Sequence, residues 1–334
     1  MHKRIKKEVF FLRIAVLGCG QISPLHLESW QKIPGAEVVC VVDIDKEKAL
    51  ARQREYGIAE ISTDYNEIIA RKDIDIIDVC LPTYLHKDAV VKAAKAGKDI
   101  FCEKPMARSL EDAKEMLDVA NECKVKIQLG FVRRFSNDWL KMKELVESGI
   151  LGEKVVWRSC SANHGAPTEW FFDKKLGGGP FLDGAVHNYD FAHIMFGKVK
   201  KIDADLFRLG NKGDAFDTGT LMIEYENGNI LQMNWSWALP WLSHGAWLED
   251  YIGSEGALMY GCHGDFIYDK EKEGVITFIG KDGQKEYFTY SLNDMFYDEI
   301  KAFYDAVKEN KEPLVGGKEG IEALEVALKV LGDI

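Results

Sequence analysis

From Leu12 to about Leu129, short runs rich in β-branched residues alternate with stretches in which apolar positions recur every three or four residues. The first kind reads as strand and the second as helix, because side chains alternate faces along a strand but return to one face of a helix at each turn. The expected strands cover 12–17, 38–42, 74–81, 99–102 and 126–129. Helices are expected at 24–32, 46–56, 64–71, 86–96 and 110–122, the last with Ser109 as N-cap. This alternation predicts a parallel sheet wrapped by helices, a doubly wound layout.

The pattern then changes. After a helix at 138–148, closed by Gly149, strand-like runs dominate at 155–162, 199–208, 218–225, 230–237, 246–252 and 257–260, with shorter ones at 266–268, 275–279 and 286–290. Turn signals such as Glu226-Asn227-Gly228-Asn229 and Lys281-Asp282-Gly283 separate them, so hairpins in a largely antiparallel sheet are expected. Helices at 293–310 and 318–331 finish the chain. The expected fold is therefore α/β: a doubly wound parallel sheet in residues 1–132, and an α/β domain with a large, mostly antiparallel open sheet in 133–334, whose last helix packs back on the first domain.

The 334 residues, 46% of them hydrophobic, suffice for two domains with cores of their own. A formal net charge of −11, with Lys and Arg scattered among acids, excludes a phosphate-rich nucleic-acid partner and leaves a small molecule as the natural one. Seven cysteines without a Cys-x-x-Cys pair indicate neither a disulfide framework nor a zinc site, which points to a reducing cytoplasm. At the N-terminus, basic residues 2–7 and the apolar stretch 9–17 imitate a signal, and Val16-Leu17-Gly18-Cys19 imitates a lipoprotein cleavage site. Arg13 interrupts that stretch, and no run approaches the ~18 apolar residues of a membrane span, so no membrane partner is expected.

Gly18-Cys19-Gly20-Gln21-Ile22-Ser23 lies between a predicted strand and a predicted helix, where a glycine turn lets backbone N–H groups and a helix N-terminus hold a pyrophosphate. A plain strand-to-helix turn is the competing explanation. Asp43 ends the second strand, where a carboxylate accepts hydrogen bonds from an adenosine ribose and repels a 2′-phosphate; with Ile44 and Asp45 following, no Arg stands ready for NADP. NAD is therefore the expected cofactor, unless Asp43 merely caps the helix at Lys46. Pro82 and Thr83 close the strand 74–81 on the side where open parallel sheets bind ligands. His86, just beyond, fits a cofactor contact and an ordinary structural histidine equally well.

Lys104, in Phe101-Cys102-Glu103-Lys104-Pro105, follows a strand at the same edge and can hydrogen-bond a hydroxyl that becomes a carbonyl. In Gly177-Gly178-Gly179-Pro180-Phe181-Leu182-Asp183-Gly184-Ala185-Val186-His187, a carboxylate and an imidazole stand four residues apart, on one face of a helical turn. His187 can take a hydroxyl proton near neutral pH, with Asp183 orienting or charge-stabilising it. The pair would also suit a metal, but no further ligand cluster accompanies it and none is expected. Trp235, Trp237, Trp241 and Trp247 read mainly as packing, with room for one to line a sugar subsite.

Together with Gly130-Phe131-Val132-Arg133-Arg134-Phe135, Gly253-Ser254-Glu255-Gly256 and Pro313-Leu314-Val315, these motifs make the chain resemble the Gfo/Idh/MocA oxidoreductases from Leu12 onward. The resemblance implies a Rossmann domain followed by an open-sheet domain, commonly a homodimer or homotetramer through the sheet face. It implies hydride transfer between a nicotinamide and a carbon of a sugar or polyol, with Lys104, Asp183 and His187 catalytic. By the same matching, Glu103 and Lys104 approach the nicotinamide half, Arg133 lies near cofactor and substrate, and Asn163 and Trp170 line the substrate pocket. Gly184 departs from the inositol-dehydrogenase pattern, so the expected substrate stops at a sugar, sugar derivative or cyclic polyol. A dinucleotide-binding sensor of the same fold is the competing expectation; loss of the catalytic group would be its mark.

Overall fold

A computed structural model describes residues 11–210, 212–240 and 244–334. The basic N-terminal stretch and Trp241 lie outside the described residues. The chain divides into two compact units that are not continuous in sequence: residues up to 103, 114–130 and 296–317 form the first, and 104–113, 131–295 and 318–334 the second. The sequence pattern predicts one division between residues 132 and 133 with the last helix packing back on the first domain; by contacts, residues 296–317, with all but the first residue of the penultimate helix, belong to the first unit, and 318–334 to the second.

In the first unit, six parallel strands stand in the order β3-β2-β1-β4-β5-β6: β1 (Leu12–Leu17), β2 (Ala36–Val42), β3 (Glu60–Ser62), β4 (Ile76–Val79), β5 (Asp99–Cys102) and β6 (Ile127–Leu129). Helices α1 (Ser23–Lys32), α2 (Lys46–Tyr56), α3 (Tyr65–Ile69), α4 (Thr83–Lys95) and α5 (Leu110–Cys123) follow the strands in turn, α5 belonging to this unit from Lys114 onward. The strand order reverses between β1 and β4, which creates a switch point at their carboxyl ends. All four residues of β4 are buried, as expected for a strand covered on both faces. Strand 74–81 is shorter than expected because Cys80 and Leu81 turn toward α4, and Thr83 opens that helix rather than closing the strand. β3 escaped notice because Ile61 is its only apolar residue.

In the second unit, α6 (Asn137–Glu147) leads into an eight-stranded sheet ordered β14-β13-β12-β11-β7-β10-β9-β8. Its strands are β7 (Val155–Asn163), β8 (Val199–Phe207), β9 (Thr218–Tyr225), β10 (Ile230–Ser236), β11 (His244–Gly253), β12 (Gly256–Tyr260), β13 (Glu273–Gly280) and β14 (Lys285–Ser291). Only the β7–β10 pair is parallel; the other neighbours are antiparallel. Segment 266–268 forms no strand: Phe266 stacks on Tyr287 at 4.8 Å while Ile267 stays 94% exposed.

Between β7 and β8 lies a helix that the sequence pattern did not announce, α7 (Val186–Phe196). Eight of its residues are buried around its circumference, so it has no polar face and no amphipathic period. Trp139 of α6 meets Phe191 of α7 at 4.8 Å and Trp157 of β7 at 5.6 Å, which packs both helices on one face of the sheet. Helices α8 (Met295–Lys308) and α9 (Gly317–Leu331) end the chain. No described helix is long and apolar enough to cross a membrane.

Candidate functional site

The cofactor residues expected from sequence gather at the carboxyl ends of β1, β2 and β4. Gly18 has φ +98°, and a Cβ there would sit 2.4 Å from the Cys80 carbonyl oxygen, so the turn tolerates only glycine. A Cβ on Gly20 would meet nothing within 4 Å. Its bareness is therefore not required by protein packing and leaves the backbone open to a ligand. Gln21 is exposed, and Ile22 begins α1 without a side-chain cap, which leaves the helix N-terminus available to an anion.

Asp43 accepts backbone N–H bonds from Cys19 and Asp45, each at 2.9 Å. The cap of α2 is Asp45, which accepts from Glu47 N–H at 3.0 Å, so capping does not explain Asp43. Beside it Ile44 is 92% exposed, an apolar side chain left uncovered by the described residues. These features fit the adenosine half of a dinucleotide. Arg52, missed from sequence, donates to the Gly20 carbonyl at 3.3 Å and pairs with Glu55.

Pro82 is half-buried and Thr83 buried. His86 is buried too, and its Nε2 lies 2.8 Å from the Leu81 carbonyl oxygen, so that nitrogen holds the loop rather than a ligand. Glu103 directly follows β5, and a Cβ on Gly130 would come within 2.8 Å of its Oε1; glycine there makes room for the carboxylate.

The second unit begins with Lys104. Its Nζ donates to the Asp183 carbonyl at 2.9 Å and lies 3.3 Å from Asp183 Oδ1, with both side chains largely buried. Asp183 ends a turn in which its own N–H bonds to Gly179 O at 3.0 Å, and His187 sits in the first turn of α7. The carboxylate faces Lys104, and no hydrogen bond joins it to His187 among the described residues, so of the two expected roles, orienting and charge-stabilising the imidazole, the first has no direct contact behind it. The Gly177-Gly178-Gly179 run serves packing: a Cβ at 177 would strike Phe171, at 178 Arg108, and at 179 Phe216.

His187 has a buried Nδ1 without a hydrogen-bond partner among the described residues, and Phe131 meets its ring edge-on at 6.2 Å. Burial, reinforced by the positive charges of Lys104 and Arg133, holds its pKa well below the usual imidazole range. These causes favour the neutral imidazole over the imidazolium.

His187 lines a cavity of about 450 Å³, together with Arg133, Asp138, Trp139, Ser159, Ser161, Gly184, Asn188, Trp235, Trp247, Glu249, Tyr260 and Tyr290. Indole, phenol and several hydrogen-bonding groups around one concavity suit a polar ring with apolar C–H faces. Arg133 lies over the Trp139 ring at 5.2 Å. Burial pushes the Glu249 carboxyl up to about 7, although Trp157 Nε1 donates to it at 2.9 Å. Gly184 brings the aromatic wall close: a Cβ there would come within 2.9 Å of Trp235 and 3.0 Å of Trp237.

Not all expected substrate residues share that cavity. Lys104 and Asp183 are not among its lining, nor are Asn163 and Trp170. Asn163 Oδ1 accepts from Gly165 N–H at 2.7 Å and so braces a turn, and Trp170 stacks on Phe171 at 3.7 Å. Of the tryptophans, Trp235 and Trp247 line the cavity, while Trp237 packs on Phe171 and Phe172. The strand residues Ser159, Ser161 and Glu249 were missed because polar positions on a strand read as the solvent face. One further cluster, His26, Asp78 and Cys80, brings donor atoms within 4.8 Å of one another inside the first unit.

Residues 12–131 match the oxidoreductase family with an NAD-binding Rossmann fold (GFO_IDH_MocA), and residues 139–258 match the GFO/IDH/MocA C-terminal domain. The chain is similar to scyllo-inositol 2-dehydrogenase (NAD(+)) of Bacillus subtilis, 30% identical over 328 residues that cover 95% of this chain and 92% of that one. It is also similar to myo-inositol 2-dehydrogenase of Thermotoga maritima, 27% identical over 324 residues, 94% of this chain and 93% of that one. Among solved structures, a 3-ketoreductase from Actinomadura kijaniata in complex with NADP and TDP-benzene has a TM-score of 0.84 at 22% identity, covering 96% of this chain and 97% of that one, a likeness of fold. With an NAD(P)-binding first unit, an open-sheet second unit and both family domains matched along its length, this chain belongs to the Gfo/Idh/MocA oxidoreductases.

Proposed function

We propose that this protein is an NAD-dependent dehydrogenase that oxidises a ring sugar, sugar derivative or cyclic polyol, or reduces the corresponding ketone. The observation that carries this is the neutral His187 at the wall of an aromatic, polar cavity, on the turn whose Asp183 holds Lys104. Gly18, Gly20, Gln21 and Ile22 would hold the pyrophosphate, and Asp43 the adenosine ribose. The bound nicotinamide supplies the hydride acceptor or donor.

His187 takes the hydroxyl proton as the alcohol carbon becomes a carbonyl, and the burial that keeps it neutral makes it available for this at pH 7. Lys104 stabilises the developing negative charge on the oxygen, and Asp183 fixes the direction of its ammonium. Arg133 and the cavity's hydroxyl and amide groups orient the remaining substrate hydroxyls. A panel of sugars and polyols, screened for NADH formation at ~340 nm, tests the whole reading; no turnover with any member would overturn it.

The same reading gives the cofactor preference. Asp43 is fixed by two backbone amides and cannot swing away from a 2′-phosphate, so NADH is expected to bind at least ~10-fold more tightly than NADPH. Dissociation constants for the two nucleotides check this, and equal affinities would refute it. Replacing Asp43→Ser together with Ile44→Arg is expected to narrow or reverse the gap.

The protein is further proposed to be a homo-oligomer through the sheet face opposite α6 and α7, in the cytoplasm. Met222 and Leu248 on that face are each 40% exposed, beside the exposed polar Gln232 and Asn234. Light scattering at micromolar concentration should report at least two chains; the mass of one chain would refute the assembly.

A further inference from the structure

Inside the first unit, the imidazole of His26 is completely buried and touches a carboxylate at each end. Its Nδ1 lies 3.0 Å from both oxygens of Asp78, and its Nε2 lies 2.9 Å from Glu103 Oε1. Asp78 is also fully buried, in the middle of β4, and accepts from Trp30 Nε1 at 2.7 Å. Cys80 Sγ closes the cluster, 3.3 Å from His26 Nδ1. Phe101 packs edge-on against the ring at 5.3 Å.

Such a chain of polar groups in a parallel-sheet core is costly unless every member is satisfied. It joins α1, β4 and the end of β5, and its last member stands immediately before Lys104 in sequence. Both imidazole nitrogens face carboxylates, so the arrangement suits a charged histidine better than a metal ligand. We propose that His26 is a positioning residue of the cofactor site: bridged between Asp78 and Glu103, it fixes the Glu103 carboxylate at the end of β5 for the nicotinamide half of the cofactor.

Charge supports the geometry. Burial alone would push the imidazole pKa down, but the Asp78 carboxylate against Nδ1 works the other way, and the net direction is well above the usual range. Gly130 contributes by leaving room for the carboxylate, as any Cβ there would press on it. Losing the charge-assisted bond from His26 loosens the hold on the Glu103 carboxylate, and one such bond is worth roughly tenfold in an equilibrium constant.

The proposal rests on Glu103 being a neighbour of the cofactor, so the test separates the two. NADH dissociation constants are measured by fluorescence on the full chain for His26→Gln, Glu103→Gln and the double variant. Each single change is expected to weaken binding about tenfold, and the double change no more than Glu103→Gln alone. Additive losses of about 100-fold, or a His26→Gln protein that binds normally while Glu103→Gln does not, overturn the proposal alone. A Glu103→Gln protein with normal binding removes Glu103 from the cofactor site and the proposal with it. Should His26→Gln fail to fold, nitrogen-15 NMR of the histidine rings in the unaltered protein decides: both His26 nitrogens stay protonated at pH 7 if the bridge is charged, and a neutral tautomer there overturns it.

Discussion

Replacing His187→Ala is expected to lower kcat by ~10²–10⁴-fold, the usual worth of a positioned proton acceptor, while the NADH dissociation constant stays within about twofold. Lys104→Ala should behave similarly on the proposed mechanism, in which the ammonium held by Asp183 stabilises the charge developing on the substrate oxygen. Near-normal turnover in a folded variant of either would remove that residue from the mechanism. The pH profile supplies a second check. Burial, Lys104 and Arg133 all disfavour the imidazolium, so the acid limb of kcat/KM is expected well below 6.5. Lys104→Met removes one of those positive charges and should move the limb upward. For stability the sign follows from the same depressed pKa: between the folded and unfolded values only the unfolded chain takes up the proton. His187's contribution is therefore complete above about 6.5 and fades as the pH falls.

The second large effect concerns stability. Arg134 forks onto Asp190 of α7 at 2.8 and 2.6 Å, and Asp190 is almost wholly buried. Burial pushes the Asp190 carboxyl upward even with the guanidinium beside it, which shows how little the surroundings tolerate the lone charge. Arg134→Ala is therefore expected to destabilise the second unit by about 3–5 kcal/mol in denaturant unfolding at pH 7. The loss should shrink at lower pH, where a solitary Asp190 takes up a proton. Replacing both partners with Leu leaves no buried charge and should recover much of the stability. A loss under about 1 kcal/mol for Arg134→Ala would mean that α7 is held in place by its apolar contacts alone, such as Trp139 against Phe191.

Local pattern determined much of this protein. The alternation of β1 to β6 with their helices follows from periodicity, and the Gly18 turn and the carboxylate of Asp43 after β2 follow from residue type, because a tight turn and a carboxylate at a strand end are local features. Lys104, Asp183 and His187 could be named from their motifs. Their relations could not: Asp183 bonds to Lys104, a residue far away in sequence, and its separation from His187 depends on how the chain enters α7. That helix is buried on all sides, so no period marked it. The cavity likewise depends on tertiary structure, since Ser159, Trp235, Trp247 and Glu249 come from three strands whose neighbours in the sheet are set by long connections. Polar residues on the inner face of a strand look like solvent positions until the sheet is built. His26, an unremarked helix residue in the sequence, acquires its two carboxylates only when β4 and β5 are laid side by side beneath α1.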